Sequence, residues 1–157
     1  MTRDRSAPHP VPADAGYVQR VRDSFACQAV MRTIGAALES VEPGHVEIVM
    51  PHRPELAQQH GFVHAGIVAT ALDSACGYAA FSLMPADAAV LTIEFKINLL
   101  APARGPWFRF EGTVTKAGRT ISVVEGKAWQ HEPGGPESLC ATMTATVMTV
   151  QGRGLKN

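Results

Sequence analysis

Gln58-Gln59-His60-Gly61-Phe62-Val63-His64-Ala65-Gly66, running on through Ile67 to Met84 with Asp73 as its one charge, is the stretch that decides the fold. From Ala65 to Met84 the chain is mostly Ala, Ile, Val, Leu, Cys, Tyr, Phe and Met, the composition of a helix buried on every side. Pro85 stops it, because proline cannot continue a helix and restricts the residue before it. An ionised carboxylate inside such a helix is expensive unless it is paired, so Asp73 demands an explanation. The Gly- and His-containing approach offers one. It leaves a helix N-terminus, with its free N–H groups, open to a polar ligand, and places an acid two turns further in. That arrangement suits an enzyme that polarises a carbonyl group and attacks it. The run is long enough to span a bilayer. It is rich in Ala, Gly, Ser and Thr, however, and an acid near its centre costs about 2.5–3.5 kcal/mol on insertion scales. A buried helix of a soluble domain is the better reading.

Downstream the pattern turns to strands. Leu91, Ile93, Phe95, Ile97 and Leu99 alternate with Thr92, Glu94, Lys96 and Asn98, a period-two run that ends before Pro102. A second strand covers about Pro106 to Lys116, with Phe108, Phe110 and Val114 on one face. Ala117-Gly118-Arg119 is a turn, and a third strand runs from about Thr120 to Gln130. Glu132-Pro133-Gly134-Gly135-Pro136 is the next turn, and Ser138 to Val150 is the last strand. Upstream, Leu38, Val41, Val46, Ile48 and Met50 flank the turn Glu42-Pro43-Gly44-His45, which reads as a hairpin. From about Ala13, Val18, Val21, Phe25 and Ala29 recur at helical spacing. The expected architecture is α+β: an antiparallel sheet of five to six strands curled around a long central helix, with an extra N-terminal helix. Residues 1–12 read as a disordered tail, 13–150 as one domain and 151–157 as a C-terminal tail.

Composition narrows the function. The 157 residues suffice for one domain with one core. Fourteen Lys and Arg balance fourteen Asp and Glu, and no basic run interleaves with aromatics, which argues against a nucleic-acid partner. Cys27, Cys76 and Cys140 are odd in number and lack metal-ligand spacing, so no metal site is expected and a reducing cytoplasm is the simplest setting. The N-terminal segment has no apolar core of the kind a secretory signal carries.

HGFVHAGIVATALDSACGYAA followed by AVLTIEFKINLLAPARG resembles the PaaI-type acyl-CoA thioesterases of the hotdog fold, whose sheet wraps a central helix. The family pattern is roughly Asn-x-x-Gly-x-x-His-Gly-Gly with an acid nine positions after the His. Gln58, Gly61, His64, Ala65, Gly66 and Asp73 occupy those positions in register, with Gln in place of Asn and Ala in place of the first Gly of the pair. The likeness spans roughly Ala37 to Val150.

The resemblance implies hydrolysis of an acyl-CoA thioester to the acid and CoA. The Ala65 N–H would be the oxyanion donor, aided by the Gln58 amide, and Asp73 the general base or the nucleophile. His64 is implied as a support for the helix start, and Thr92 as a hydroxyl near the attacking water; His60 and Ser74 are weaker candidates. Asp73 lies about 13 Å along the helix from His64 by rise alone, too far to serve its own helix start. The resemblance supplies the partner: hotdog domains assemble as dimers or tetramers, and the acid meets the other subunit's helix. CoA carries phosphates, for which Lys96, Arg104, Lys116 and Arg119 are the candidate cations, with Arg109 a further one. The acyl group is expected near Tyr78, Phe81 and Leu83. No cofactor beyond the CoA of the substrate and no membrane partner is expected. Two alternatives stand beside hydrolysis. One is a non-catalytic acyl-CoA-binding domain, which Gln58 and Ala65 favour. The other is a dehydratase or isomerase on acyl thioesters, for which His45, His52 and His131 lack an evident acid partner.

Overall fold

The computed structural model describes residues 10–132 and 134–155. Most of the tail expected over 1–12 therefore lies outside the described residues. Elements run α1 (Tyr17–Cys27), α2 (Ala29–Ile34), β1 (Ala37–Glu42), β2 (His45–Pro51), α3 (Ala65–Phe81), β3 (Ala89–Leu99), β4 (Trp107–Lys116), β5 (Ile121–His131) and β6 (Ser138–Val150), with one short 3-10 turn at Pro54–Leu56. The expected N-terminal helix is two helices. They break at Gln28, whose backbone is extended (φ −76°, ψ 96°).

All six strands form one antiparallel sheet in the order β1-β2-β4-β5-β6-β3. Helix α3 lies in the concave face and packs on β2 through β6. What lets it come so close is a pair of facing glycines, Gly112 on β4 and Gly126 on β5. A Cβ at Gly112 would run into the Ala75 carbonyl, and one at Gly126 would sit 2.8 Å from Cys76 Sγ. Phe108, Phe110, Ile48, Met50, Leu72 and Phe81 fill the core around this contact.

The C-terminal end of α3 is held by a device the sequence did not advertise. Arg20 on α1 donates to the carbonyls of Phe81 (3.2 Å), Met84 (2.7 Å) and Pro85 (3.0 Å). Its guanidinium lies 4.2 Å above the Phe81 ring and is paired with Asp14 at 2.9 Å. A cation on the carbonyl end of a helix is favoured by the helix dipole and satisfies acceptors that the helix leaves unbonded.

Strand β3 is an edge strand, and its alternation is not continuous. A bulge between Thr92 and Glu94 takes Ile93 out of register. Thr92 pairs with Val147 and Phe95 with Ala145, so Thr92, Phe95, Ile97 and Leu99 share the helix-facing side, while Leu91 falls on the opposite one. This corrects the simple period-two reading of the strand. The edge is also unusually apolar: Leu91, Ile93, Phe95 and Leu99 are 47, 53, 43 and 53% exposed.

Candidate active site

The loop from Pro51 to His64 brings the chain to the start of α3. Gln58 opens a tight turn in which its carbonyl accepts from the Gly61 N–H (2.9 Å) and its N–H donates to the Phe62 carbonyl (2.8 Å). Gly61 has φ +84°, a left-handed conformation that glycine adopts without steric cost. The Gln58 side-chain oxygen accepts from the His60 N–H. His52 Nε2 meets the Gly61 carbonyl at 3.1 Å and steadies the turn from outside. Gly61 thus shapes the turn and does not itself line the cavity beside it.

His64 is the N-cap of α3. Its Nδ1 accepts from the Gly66 N–H at 2.9 Å, and its carbonyl accepts from Ile67 and Val68. An accepting Nδ1 places the resting proton on Nε2. The cap occupies the Gly66 N–H, whereas no hydrogen-bond partner for the Ala65 N–H is found among the described residues. Ala65 is exposed and, with Gln58, His64, Phe62, Val68 and Leu99, lines a cavity of about 510 Å³. The helix start is therefore a bounded opening with one donor to spare.

Asp73 opens elsewhere. It lines a separate cavity of about 290 Å³ with Ser24, Gln28, Ser74, Gly77, Tyr78 and Thr92. Thr92 Oγ1 donates to Asp73 Oδ1 at 2.8 Å, a contact made possible by the β3 bulge. Burial raises the Asp73 carboxyl above its ordinary value, and the Thr92 hydrogen bond pulls it part of the way back. Beneath it, burial and the Asp73 charge push the Cys76 thiol up to about 12.

Tyr78 also lines this cavity. Its hydroxyl lies 3.3 Å from Ser24 Oγ, and burial raises its pKa. Phe81 does not: it is fully buried beneath Arg20. The expected apolar surround of the acyl group is thus largely hydroxyls and an amide on this side.

The candidate cations are spread out. Arg104 is exposed near the helix-start cavity; its backbone N–H donates to Gln130 Oε1 (2.9 Å), and its guanidinium lies 3.6 Å from Glu132. Lys116 and Arg119 are exposed at the other end of the sheet, around the β4–β5 turn. Lys96 is exposed on β3, opposite Thr144. One protomer does not gather these four into a single patch. Arg109 is committed elsewhere, bonded to Glu137 (2.6 and 3.1 Å) and Glu47 (2.8 Å) and lying 3.6 Å from Glu111. His60 lines neither cavity, whereas Ser74 lines the Asp73 cavity and donates to Gln28 at 3.4 Å. Among the described residues no group of three or more His, Cys, Asp or Glu could hold a metal ion, and no helix is long and apolar enough to cross a membrane.

Sequence reasoning missed Ser24, Gln28 and Gly77. The first two arrive from the N-terminal helices, whose docking on α3 no local pattern encodes. Gly77 did carry a signal, since a glycine inside a helix costs about 1 kcal/mol relative to alanine and asks for a reason.

The chain has relatives. The thioesterase superfamily model matches residues 60–137. A crystal structure of a thioesterase family protein from Silicibacter pomeroyi is 57% identical and superposes with a TM-score of 0.85, covering 87% of this chain and all of that one. A provisionally named esterase of Saccharolobus solfataricus is 34% identical over 97 residues, covering 61% of this chain and 68% of that protein. The Escherichia coli PaaI protein of the phenylacetic acid degradation operon is only 16% identical and bears on the fold alone, with a TM-score of 0.79 over 89% of this chain and 97% of that one. At these identities and coverages the family is shown: the chain is a hotdog-fold protein that belongs to the thioesterase superfamily.

Proposed function

We propose that the protein hydrolyses acyl-CoA thioesters as a PaaI-type enzyme, at a site built from two subunits. The observation that carries this reading is the separation of the two halves of the machinery. The free Ala65 N–H and the Asp73 carboxylate open into different cavities of one protomer. Two copies paired along the apolar β3 edge would place one protomer's helix start against Asp73 of the partner subunit, and would cover Leu91, Ile93, Phe95 and Leu99. A dimer, or a tetramer made of such dimers, follows from this.

In that setting Ala65 N–H and the Gln58 amide receive the thioester oxygen. Asp73, its Oδ1 held by Thr92, takes a proton from water as the water oxygen bonds to the carbonyl carbon. The carbonyl π electrons move onto oxygen, where the helix start stabilises the charge. Collapse then breaks the C–S bond and releases the CoA thiolate, which is protonated from solvent. A carboxylate whose pKa is raised by burial is a stronger base for this step. Arg104, near the helix-start opening, and Lys96, Lys116 and Arg119 from either subunit are the candidates for the CoA phosphates. The reaction needs no cofactor other than the CoA of the substrate, and the buried Cys76 and Cys140 suit a reducing cytoplasm.

The test is complementation between two inactive variants. Asp73→Asn removes the base. Ala65→Pro removes the oxyanion donor at a first-turn position where proline is tolerated, and His64 already has the extended backbone (φ −59°, ψ 137°) that a following proline requires. Each should lose about a hundred-fold or more in acyl-CoA turnover, read with a thiol reporter. Unfolding and refolding them together should restore about a quarter of wild-type activity, because half the dimers then hold one intact site of two. Mixed dimers that form without activity would refute the two-subunit site, and wild-type protein that binds acyl-CoA without releasing CoA would favour a binding domain instead.

A further inference from the structure

Helix α3 contains a glycine that packing does not require. At Gly112 and Gly126 an added Cβ would strike the neighbouring element, so these two are needed for close approach. Gly77 is different: it lies inside α3, is buried, and an added Cβ there would meet nothing within 4 Å. Alanine would fit and would favour the helix. The empty space above Gly77 belongs to the Asp73 cavity. Gly77 follows Asp73 by four residues, so it lies on the same helix face, about 6 Å further along the axis.

The cavity is bordered by Val90 and Leu91 of β3 on one side and by polar groups on the other. Ser24 and Gln28 enter from α1 and the α1–α2 break. Ser24 Oγ and Tyr78 Oη lie 3.3 Å apart, and Ser74 Oγ donates to Gln28 Oε1 at 3.4 Å. The bond to Ser74 uses the Gln28 oxygen, and no partner for its NH2 group is found among the described residues. A cavity whose floor is a bare helix backbone and whose far wall offers a spare amide donor and a hydroxyl pair is shaped for a chain that passes over Gly77 and ends in a hydrogen-bonding group.

We infer that Gly77 and Gln28 determine acyl-group specificity: Gly77 keeps open the channel leading away from Asp73, and Gln28 selects acyl groups whose far end carries a hydroxyl or carbonyl over plain alkyl chains of the same length. This rests on the acyl-thioester reading of the site, and the probes separate the two. Propionyl-CoA is too short to pass Gly77, hexanoyl-CoA passes it, and ω-hydroxyhexanoyl-CoA adds the polar end. Wild-type protein should favour ω-hydroxyhexanoyl-CoA over hexanoyl-CoA by about five-fold or more in kcat/KM, the scale of one neutral hydrogen bond. Gln28→Leu should erase that preference. Gly77→Ala should raise the thermal midpoint, which shows that the fold is intact, and lower the hexanoyl-to-propionyl ratio of kcat/KM about ten-fold or more. If Gly77→Ala is more stable yet leaves that ratio where it was, Gly77 does not guard the channel. A wild-type enzyme indifferent to the ω-hydroxyl removes the role of Gln28. Propionyl-CoA turnover in wild type keeps either failure distinct from a failure of the thioesterase reading, in which no CoA is released from any of the three.

Discussion

The two halves of helix α3 are built from the same small and apolar residues and serve opposite ends. From Ala71 to Phe81 the helix is buried, apart from the half-buried Asp73, and its sheet-facing side is sealed: Gly112 and Gly126 admit its backbone to the sheet, and Arg20 ties off its carbonyls, while Asp73, Ser74, Gly77 and Tyr78 border a cavity on its other side. From Ala65 to Thr70 only Val68 is buried, and the first turn is capped, with a free N–H at Ala65 and exposed backbone at Gly66. Asp73 sits at the border. The difference teaches that burial in this helix follows from what the sheet and α1 bring to each turn.

Substitutions at the border and on either side of it can break this contrast. The largest expected effect is at the border. Asp73→Asn should lower kcat for acyl-CoA hydrolysis about a thousand-fold, measured with a thiol reporter. The same change should stabilise the fold. Burial raises the folded-state pKa of Asp73 above its unfolded value, so the carboxyl favours folding only while protonated. That contribution is full below the unfolded pKa and is lost as pH rises through the folded one. Asp73→Asn should therefore raise the urea midpoint at neutral pH, with the gain fading in acid; a lower midpoint at neutral pH would show that the carboxylate is structural.

Next comes the buried half. Gly112→Ala forces a methyl into the Ala75 carbonyl and should cost about 3 kcal/mol in urea unfolding. Arg20→Met keeps an unbranched chain against Phe81 but drops three carbonyl bonds, and about 2 kcal/mol should go with them. If either changes activity without changing stability, the division of α3 into a buried and an open half is wrong. The smallest effect is at Thr92. Thr92→Val removes the bond that both orients the Asp73 carboxylate and lowers its pKa: the lost orientation should cost about ten-fold in kcat, and the higher pKa should move the acidic limb of kcat/KM to higher pH. A limb that stays in place would mean that Asp73 does not set it.

Much of this was legible from the residues. The apolar run with one acid, stopped at Pro85, announces a central helix, and six strand patterns punctuated by Gly- and Pro-containing turns announce the sheet. The loop from Gln58 to Gly66 and Asp73 were visible because glycine, histidine and a lone acid are out of place where they stand. Other parts were not visible, for stated reasons. The β3 bulge leaves no trace in alternating residue types, yet it turns Thr92 toward Asp73 and Leu91 away. Nothing local marks Arg20 out, because its carbonyl partners are some sixty positions away. Lys116, Arg104 and Arg119 could be named as cations but not placed together, since turns at opposite ends of a sheet look alike in sequence.

The three thiols add a last consequence. Cys27 is exposed on α1, whereas Cys76 is sealed under Asp73, its thiol held at about 12, and Cys140 is buried against the Ala128 carbonyl, its thiol pushed to about 11. An alkylating reagent at neutral pH will meet the first at once and Cys76 only when the domain opens, while Cys140 borders the helix-start cavity. The protein thus carries its own clock for breathing: the pace at which the Cys76 label appears measures how often the wrapped helix leaves its sheet, and loss of the Cys140 label on adding a thioester would report the filling of that cavity.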